Sequence, residues 1–384
     1  MNTSRQLKKC SVAALACIAI LWPFLSGASQ DWAAIEADAR KEGKVVIYSV
    51  SSRISKLVDE FKETYGVEIE GHDLSSDVQL EKFRREHKAG VFNVDVLFNQ
   101  EAPLLLNEFL DKKLIHNFIP DESVSQLDKE EMEPLLIQRW SSRILIYNKV
   151  KNPDGAPFDN LWDLTKPEWQ GRVQMPNPSE DSNQSNVIQT ILQHADEMEK
   201  AYEKEFGEKL TYSKAVVKAV KKHPLIDAPD ASIEWLYRFL KNKPAFISST
   251  TQIFKNVGDV KQENPPVGFT TFSKLRSNKP GEYEAEPAYD VEPAFGVAYP
   301  TALVIADGAP HPNAAKLLIR HMMGKGFKPW NVMGDYAART DLAEKQVAEF
   351  NIPEFSALKL WKIDPTAVYD TKYSFLTLYL YLKK

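Results

Sequence analysis

The sequence predicts an α/β fold with two lobes, each a mostly parallel sheet flanked by helices. Two observations support this fold class. Short β-branched runs alternate with segments whose apolar residues recur every three or four positions, which is the pattern of strands and amphipathic helices. The chain has 384 residues, more than one hydrophobic core usually accommodates. We therefore expect two α/β domains rather than one.

The first part of the chain alternates strictly between strands and helices. Ile54, Leu57 and Phe61 fall on one helix face, and Gly66 follows where such a helix would end. This order predicts parallel strands with helices on both faces, and ligands of such sheets bind beyond the carboxyl ends of the strands. The predicted elements, strand first, cover residues 44–50, 54–65, 67–69, 78–87 and 94–98.

A second α/β block follows, in which strands and helices again alternate. Residues 278–293 carry several acidic residues and three prolines, which indicates an inserted surface loop. The C-terminal residues 375–382 alternate apolar and aromatic side chains, are too few to span a membrane, and are expected to pack on a lobe. The remaining strands are predicted at residues 143–148, 172–175 and 267–269, and the helices near residues 185–195, 213–222 and 310–318.

The N-terminus has the three parts of a Sec signal peptide. Arg5, Lys8 and Lys9 are positively charged, residues 11–25 are mostly apolar, and small residues precede a cleavage point after about Ala28. The apolar run is short for a membrane span and is followed at once by polar sequence. An uncleaved anchor is the alternative. We expect residues 1–28 to be removed on export.

Both cysteines, Cys10 and Cys17, lie inside this predicted signal. The mature chain would therefore have no disulfide, no thiolate nucleophile and no cysteine metal ligand. Residues 1–28 hold three basic and no acidic residues, so their loss changes the formal net charge from −5 to −8. An acidic exported chain is a poor candidate for binding nucleic acid.

The chain lacks the common catalytic and cofactor motifs. Its seven histidines show no metal-binding spacing such as H-x-H or H-E-x-x-H. It contains no G-x-S-x-G, no G-x-G-x-x-G and no Walker sequence. We therefore predict no cofactor, no catalytic residues and no enzymatic activity.

Three segments carry a resemblance to a known family. Residues 158–173 (FDNLWDLTKPEWQGRV), residues 310–318 (PHPNAAKLL) and residues 334–341 (GDYAARTD) resemble motifs of bacterial periplasmic extracellular solute-binding proteins of ABC transporters. The strand at residues 143–148, which ends in Tyr-Asn, is similar to a strand that crosses between lobes in that family. The resemblance covers residues 45–342 and is nearest to the ferric-ion-binding proteins.

The resemblance implies the type II periplasmic-binding-protein fold, with a ligand cleft between the lobes. Strands near residues 143–148 and 267–271 would connect them. The implied division is residues 1–28 as signal peptide, residues 43–137 plus about 293–328 as lobe 1, and residues 138–292 plus about 329–384 as lobe 2.

The implied function is the substrate-binding component of an ABC importer. Such a protein, expected to be a monomer in the periplasm, would capture a small polar anionic solute, phosphorylated or phosphonate-like, by hinge closure. It would deliver that solute to a permease in the inner membrane. Two alternatives stay open: binding of an iron(III) complex as in the parent family, or an exported ligand sensor or enzyme on the same fold.

The iron ligands of the family do not match this sequence. Relatives hold the metal with a His in the first loop, a Glu after the third strand and a Tyr pair on a return strand. Here the first loop, residues 49–53, has no His, and Gln100 stands at the Glu position with Glu101 one residue later. Residues 270–273 (TTFS) replace the Tyr pair. We predict no metal site.

Hydroxyl-rich segments take the place of those ligands. Serines in the first loop and residues 177–185 each precede a helix, whose free N–H groups favour an anion. Arg143 could supply a bidentate fork. The alternatives are that the polar residues are plain N-caps, that Arg143 is structural and that the threonines merely suit a strand. The predicted ligand-binding residues are Ser49, Ser51, Ser52, Gln100, Arg143, Ser182, Asn183, Thr250, Thr270, Thr271 and Tyr299.

Overall fold

The computed structural model describes residues 29–222 and 228–384. The predicted signal peptide, residues 1–28 with Cys10 and Cys17, lies outside the described residues. Among the helices in these two ranges, none is both long and apolar enough to cross a membrane.

The strands and helices alternate along most of the chain. The strands are β1 (Lys44–Ser49), β2 (Glu68–Asp73), β3 (Val96–Asn99), β4 (Ile115–His116), β5 (Leu136–Asn148), β6 (Val173–Met175), β7 (Ala245–Phe246), β8 (Val267–Thr271), β9 (Ala285–Pro287), β10 (Gly296–Ala306), β11 (Tyr336–Ala337) and β12 (Leu360–Lys362). The α-helices are α1 (Trp32–Glu42), α2 (Val58–Tyr65), α3 (Ser76–Lys88), α4 (Ala102–Leu104), α5 (Lys129–Met132), α6 (Ser182–Gln193), α7 (Ala195–Phe206), α8 (Lys214–Lys222), α9 (Ala231–Lys241), α10 (Thr250–Gly258), α11 (Pro312–Met323), α12 (Thr340–Phe350) and α13 (Pro365–Leu382). Short 3₁₀ helices occur at Ser52–Leu57, Asp121–Gln126, Leu161–Thr165, Pro167–Trp169, Phe272–Ser277, Lys325–Trp330 and Phe355–Ala357, and a π-helical turn at Leu105–Leu110.

The predicted order of the first part is confirmed. Strands β1, β2 and β3 pair in parallel, with α2 and α3 between them. The predicted first helix begins as the 3₁₀ turn Ser52–Leu57 and continues as α2, burying Ile54, Leu57 and Phe61. Gly66 ends α2 with φ of 71°, a left-handed conformation that costs glycine little.

The sheet has two halves joined by two long strands. Its strand order is β2-β1-β3-β10-β5-β8-β6-β7. The first half contains β1, β2 and β3, and the second contains β6, β7 and β8. β10 pairs with β3 through one end and with β12 through the other, while β5 pairs with β10 along its length and with β8 near its end. The chain therefore passes between the halves along β5 and β10.

This topology corrects one prediction about the connecting strands. The segment near residues 143–148 does belong to a connecting strand, β5. Residues 267–271 do not, because β8 is a five-residue strand that pairs only with β5 and with β6 of the second half. β10 is the second connection, and it lies so close to β5 that a Cβ atom on Gly296 would come within 2.3 Å of the Arg143 carbonyl oxygen.

The segment at residues 158–173 is a structural motif of the second half. Trp162 is fully buried, donates its ring N–H to the Met198 carbonyl at 2.8 Å and packs edge-on against Tyr202. The ring N–H of buried Trp235 donates to the Leu161 carbonyl at 2.9 Å. These contacts fix the turn that leads into β6, and α6 follows β6 as predicted.

Two further predictions, for residues 375–382 and for residues 278–293, have different outcomes. Residues 375–382 lie in α13, which packs against α6 of the second half and against α4, which follows β3 of the first half. The packing prediction is therefore confirmed. The inserted-loop prediction for residues 278–293 is wrong in part, because β9 pairs with β5 and the side chains of Ala285, Ala288 and Val291 are buried.

Candidate ligand-binding site

A polar cavity of about 430 Å³ lies where the two halves of the sheet meet. The loops after β1, β2 and β3 form one side, while β5, β8 and the helix starts of the second half form the other. This is the edge at which the strand order predicted a ligand. The lining residues are Val50, Ser51, Ser52, Arg53, Asp73, Gln100, Arg139, Ser141, Arg143, Asp181, Ser248, Thr250, Thr271, Ser273, Lys274, Arg276, Tyr299 and Asp335.

Most of the residues predicted from the sequence come together at this cavity. Their convergence was the condition on which the functional interpretation depended, because each residue alone also fits a structural role. The predicted residues that line the cavity are Ser51, Ser52, Gln100, Arg143, Thr250, Thr271 and Tyr299.

Four predicted residues do not line it. Ser49 is fully buried and donates its hydroxyl to the Ser51 carbonyl at 2.8 Å. Thr270 is buried and donates to the Thr250 carbonyl at 2.8 Å. Asn183 accepts a hydrogen bond from Arg143 Nη2 at 3.0 Å, and Ser182 faces carboxylates of the first half.

Sequence reasoning missed most of the charged residues of the site. Arg139 and Ser141 alternate with Arg143 along β5, so a two-residue period places all three on the same face. That signal was present in the sequence. The other missed residues lie in turns and loops: Arg53, Asp73, Asp181, Ser248, Ser273, Lys274, Arg276 and Asp335.

Asp335 forms ion pairs with two of the arginines, Arg53 and Arg139. Its Oδ2 accepts from Arg53 Nη1 at 2.9 Å and lies 3.8 Å from Arg139 Nε, while its Oδ1 accepts from the Ser141 hydroxyl at 2.9 Å. Arg139 also lies over the Phe98 ring, 4.9 Å from its centroid. Burial lowers the pKa of the Arg139 guanidinium to about 10, against the opposing effect of Asp335. Arg139 remains charged at neutral pH.

Arg143 has guanidinium donors to spare. Its side chain is 4% exposed, and Nη2 donates to Asn183 Oδ1 at 3.0 Å and lies 3.5 Å from Asp181 Oδ1. Its Nε and Nη1 have no hydrogen-bond acceptor in the protein, and neither has Nε of Arg139. A buried donor without an acceptor costs about 1–3 kcal/mol, and more when the group is charged. Two of the cationic side chains that line the cavity, Arg139 and Arg143, therefore have unfilled hydrogen-bond donors.

Two further cations face the same space. Lys274 and Arg276 lie on the 3₁₀ turn after β8, and Arg276 donates to the Ser273 carbonyl. Burial lowers the pKa of the Lys274 ammonium, and the adjacent Arg276 and Arg53 lower it further. The pKa of Arg276 is also lowered, first by burial and then by Arg53. Mutual repulsion of this kind is relieved by an anion.

The helix starts at the site are already capped by side chains. The Asp181 carboxylate accepts from the Gln184 N–H of α6 at 2.6 Å, and Ser249 accepts from the Gln252 N–H of α10 at 3.2 Å. Ser51 caps the turn after β1 and also lines the cavity. The N-cap interpretation thus holds for Ser51. Because Asp181 places its own carboxylate at α6, the arginines carry more of the attraction for an anion than that helix end.

Among the described residues that line the cavity, Tyr299 is the one tyrosine, so the Tyr pair that the family resemblance implies is not matched. Phe272 is buried and Ser273 lines the wall at the corresponding positions. Glu101 faces α6 instead of the cavity. Burial raises the pKa of the Tyr299 hydroxyl, which favours its neutral form. In the described ranges one group of three possible carboxylate ligands is close enough to share a metal, Asp159, Asp163 and Glu205, but it lies away from this cavity and holds Lys166.

Comparisons with known proteins identify the fold. No protein-family model matches the chain, and no curated protein sequence is similar to it. Its structure is similar to iron-bound HitA from Pseudomonas aeruginosa, with a TM-score of 0.65, 16% identity, and coverage of 89% of this chain and 99% of that one. It is also similar to the periplasmic binding protein (PBP) AgtB from A. tumefaciens R10 in complex with agropinic acid, at a TM-score of 0.60, 12% identity and coverages of 89% and 99%. A third similar structure is the PBP MotA from A. tumefaciens B6 in complex with glucopine, at a TM-score of 0.60 and 14% identity, with coverage of 89% of this chain and 100% of that one.

These similarities extend over nearly the full length of each relative. The predicted fold class, an α/β periplasmic-binding-protein fold, is confirmed, as is the structural resemblance to proteins that include a ferric-binding member. At 12–16% identity the likeness concerns the fold.

Proposed function

We propose that this protein is the solute-binding component of an ABC importer and that it captures a small anionic solute. In this proposal residues 1–28 direct export to the periplasm, and a permease in the inner membrane receives the solute. Support comes from the fold and from the position of the cavity between the two halves of the sheet.

The unfilled guanidinium donors carry this proposal. Arg143 Nε and Nη1 and Arg139 Nε are buried, charged and without a protein acceptor. Five cationic side chains line the cavity against three carboxylates, of which Asp335 is already engaged by Arg53 and Ser141. An oxyanion in the cavity would be attracted by these cationic side chains and would reduce the repulsion among Arg53, Lys274 and Arg276.

A phosphoryl or phosphonate group suits the donors best. A tetrahedral oxyanion presents several acceptor oxygens to donors arriving from different elements, and arginine forks bind such groups bidentately. Hydroxyls from Ser51, Thr250 and Thr271 can bind the rest of a polar solute. A neutral polyhydroxylated solute would use the hydroxyls and leave the arginines unfilled, so we place it second.

We also propose that the halves act as lobes which close on the ligand. The lobes would comprise residues 43–137 plus about 293–328, and residues 138–292 plus about 329–384, with β5 and β10 as the connections. Two antiparallel strands that run through both halves form a compact hinge, and hinge closure is a common response to a ligand bound between domains.

A binding role fits the cavity better than catalysis. The carboxylate of Asp335 accepts from Arg53 and Ser141, and that of Asp181 caps α6 and contacts Arg143. Neither of these two is placed as a free general base beside a nucleophile, which an enzyme of acyl or phosphoryl transfer would need, and the third carboxylate of the cavity, Asp73, is exposed. We therefore propose that the protein binds its solute without transforming it.

Native mass spectrometry followed by a thermal-shift screen tests the proposal. Gently purified protein should carry a co-purified solute that dissociates under mild activation. Ligand-depleted protein should then be stabilised by inorganic phosphate, methylphosphonate or glucose 6-phosphate, since a ligand that binds only the native state raises the unfolding temperature by mass action. Glucose is the matched neutral control. Stabilisation by glucose equal to that by glucose 6-phosphate would contradict the anionic assignment.

A further inference from the structure

One hydroxyl lies between two carboxylates where the halves of the molecule meet. Ser182, the first residue of α6 in the second half, places its Oγ 2.7 Å from Asp77 Oδ2 and 2.8 Å from Glu101 Oε1. Asp77 lies on α3 and Glu101 follows β3, so both carboxylates belong to the first half. One turn along α6, the Asn186 amide donates to both oxygens of Glu101, at 3.3 and 3.1 Å.

The Ser182 hydroxyl has one proton fewer than it needs to form hydrogen bonds with both carboxylates when both are ionised. A serine hydroxyl has a single hydrogen and can donate it to only one of the two carboxylates. If both were ionised, the other carboxylate oxygen would face the Ser182 oxygen at hydrogen-bond distance with no hydrogen between them. A second proton completes the chain, in which a protonated Glu101 donates to Ser182 and Ser182 donates to Asp77.

The surroundings place that proton on Glu101. Glu101 is 2% exposed, whereas Asp77 is exposed. Burial, together with the charge of Asp77, raises the pKa of the Glu101 carboxyl to about 7, against the hydrogen bonds from Ser182 and Asn186 and the charge of Lys372. Within the described part of the chain, the charged groups that face it are thus Asp77 on α3 and Lys372 on α13, while α6 contributes only the neutral Ser182 and Asn186.

The contact is adjacent to the candidate ligand site. Asp181, immediately before Ser182, caps α6 and lines the cavity, and Asn183, immediately after it, accepts from Arg143. The docking of Ser182 onto the first half therefore sets where these two residues lie against Arg143. A change in the protonation of Glu101 can therefore shift Asp181 and Asn183, because both are bonded directly to Ser182 along the chain.

We propose that a proton on Glu101 joins the two halves through the chain Glu101–Ser182–Asp77 and so favours the closed arrangement of the ligand site. Acidification then favours the closed arrangement, and deprotonation of Glu101 weakens the docking of α6 on the first half. The consequence for solute capture rests on the proposed function, while the contact itself does not. Under that function, closure on a solute takes up a proton.

Small-angle scattering on the protein without added solute tests this device. The radius of gyration of the unmodified protein should rise when the pH is raised from about 5.5 to about 8.5. Glu101→Gln keeps a donor toward Ser182 at every pH, and Asp77→Asn supplies a second donor so that both acceptors are filled without an added proton. Both variants should therefore stay as compact at the higher pH as at the lower one.

The matched control is Glu131→Gln. Glu131 is another buried glutamate whose pKa is raised by burial, but its carboxylate accepts from Trp140 and from the Asp128 N–H, both near in the chain. This variant should keep the pH response of the unmodified protein. A radius that does not change with pH in the unmodified protein, or a rise that persists in either Glu101→Gln or Asp77→Asn, would overturn the proposal. Failure to bind phosphate would not affect this readout, so the two proposals fail separately.

Discussion

Asp335 accepts a hydrogen bond from Arg53 at 2.9 Å and so ties the loop after β1 to the connecting strand β5, where Ser141 donates to the same carboxylate. The Asp335 side chain is 3% exposed and the Arg53 side chain is 15% exposed. Buried ion pairs of this kind add little stability over apolar residues, but they are costly to break from one side. Asp335 thereby fixes Arg53 and Arg139 while leaving other donors of the cavity free.

Asp335→Ala should destabilise the protein by about 3 kcal/mol, because Arg139 would stay buried without its carboxylate partner. Urea unfolding measures this change as a lower midpoint with an unchanged slope. Asp307→Ala is the matched control. Asp307 pairs with His87 and His116 at the surface, where such pairs contribute under about 1 kcal/mol. Equal effects of the two substitutions would contradict a buried role for Asp335.

Ferric citrate should produce no tyrosinate-to-iron charge-transfer band. Phe272 and Ser273 stand where the family resemblance would place a Tyr pair, and burial favours the neutral form of the Tyr299 hydroxyl. Titration with ferric citrate, followed in the visible spectrum, checks this expectation. A band that appears and is lost in Tyr299→Phe would show that iron binds at this cavity after all.

His321 should make the protein sensitive to acid. It is 1% exposed, packs edge-on against Phe61 and Tyr65, and has no hydrogen-bond partner on either ring nitrogen. Burial lowers the pKa of the His321 imidazole from 6.5 to about 4. The folded state therefore resists protonation, and stability present above pH 6.5 is lost as the pH falls to 4.

The size of this loss follows from the pKa shift. A fall from 6.5 to about 4 corresponds to about 3 kcal/mol in the free energy of unfolding across that interval. Urea unfolding at several pH values should show the loss in the unmodified protein and a smaller one in His321→Leu. His116→Leu is the control, since His116 is exposed and pairs with Asp307. An unchanged pH profile in His321→Leu would contradict this account.

Local sequence patterns predicted the secondary structure well. The apolar spacing of Ile54, Leu57 and Phe61 and the glycine at position 66 are local signals, and the structure follows them closely. The bounds of the connecting strands were harder to predict from the sequence. β5 begins at Leu136, well before the predicted start at Arg143, because its first residues mix polar and apolar side chains that are all buried. A strand covered on both faces does not show the alternation of a surface strand.

The charge of the candidate site depended on tertiary structure. Arg143 was predicted because it opens the predicted connecting strand, whereas the two-residue period of β5 leads to Arg139 only when the strand is extended back to Leu136. Lys274, Arg276 and Asp335 lie in a 3₁₀ turn and a loop, far along the chain from the first loop that they face. No local pattern places them there. The sequence therefore indicated hydroxyls in the cleft, while the excess of cations emerged only from the fold.

Isothermal titration calorimetry on Arg143 variants tests the central claim, which is that buried cationic donors hold an anionic solute. With glucose 6-phosphate as the probe, Arg143→Ala should lose about 1.5–3 kcal/mol of binding free energy, the range for a charge-assisted hydrogen bond. Arg143→Lys should also lose affinity, because an ammonium cannot replace the planar fork. Arg172→Ala is the matched control, since Arg172 donates to the Pro265 carbonyl and stacks on Trp169 away from the cavity. Affinity retained by the control and lost in both Arg143 variants is the predicted result, whereas folded Arg143 variants that bind as tightly as the unmodified protein would contradict the claim.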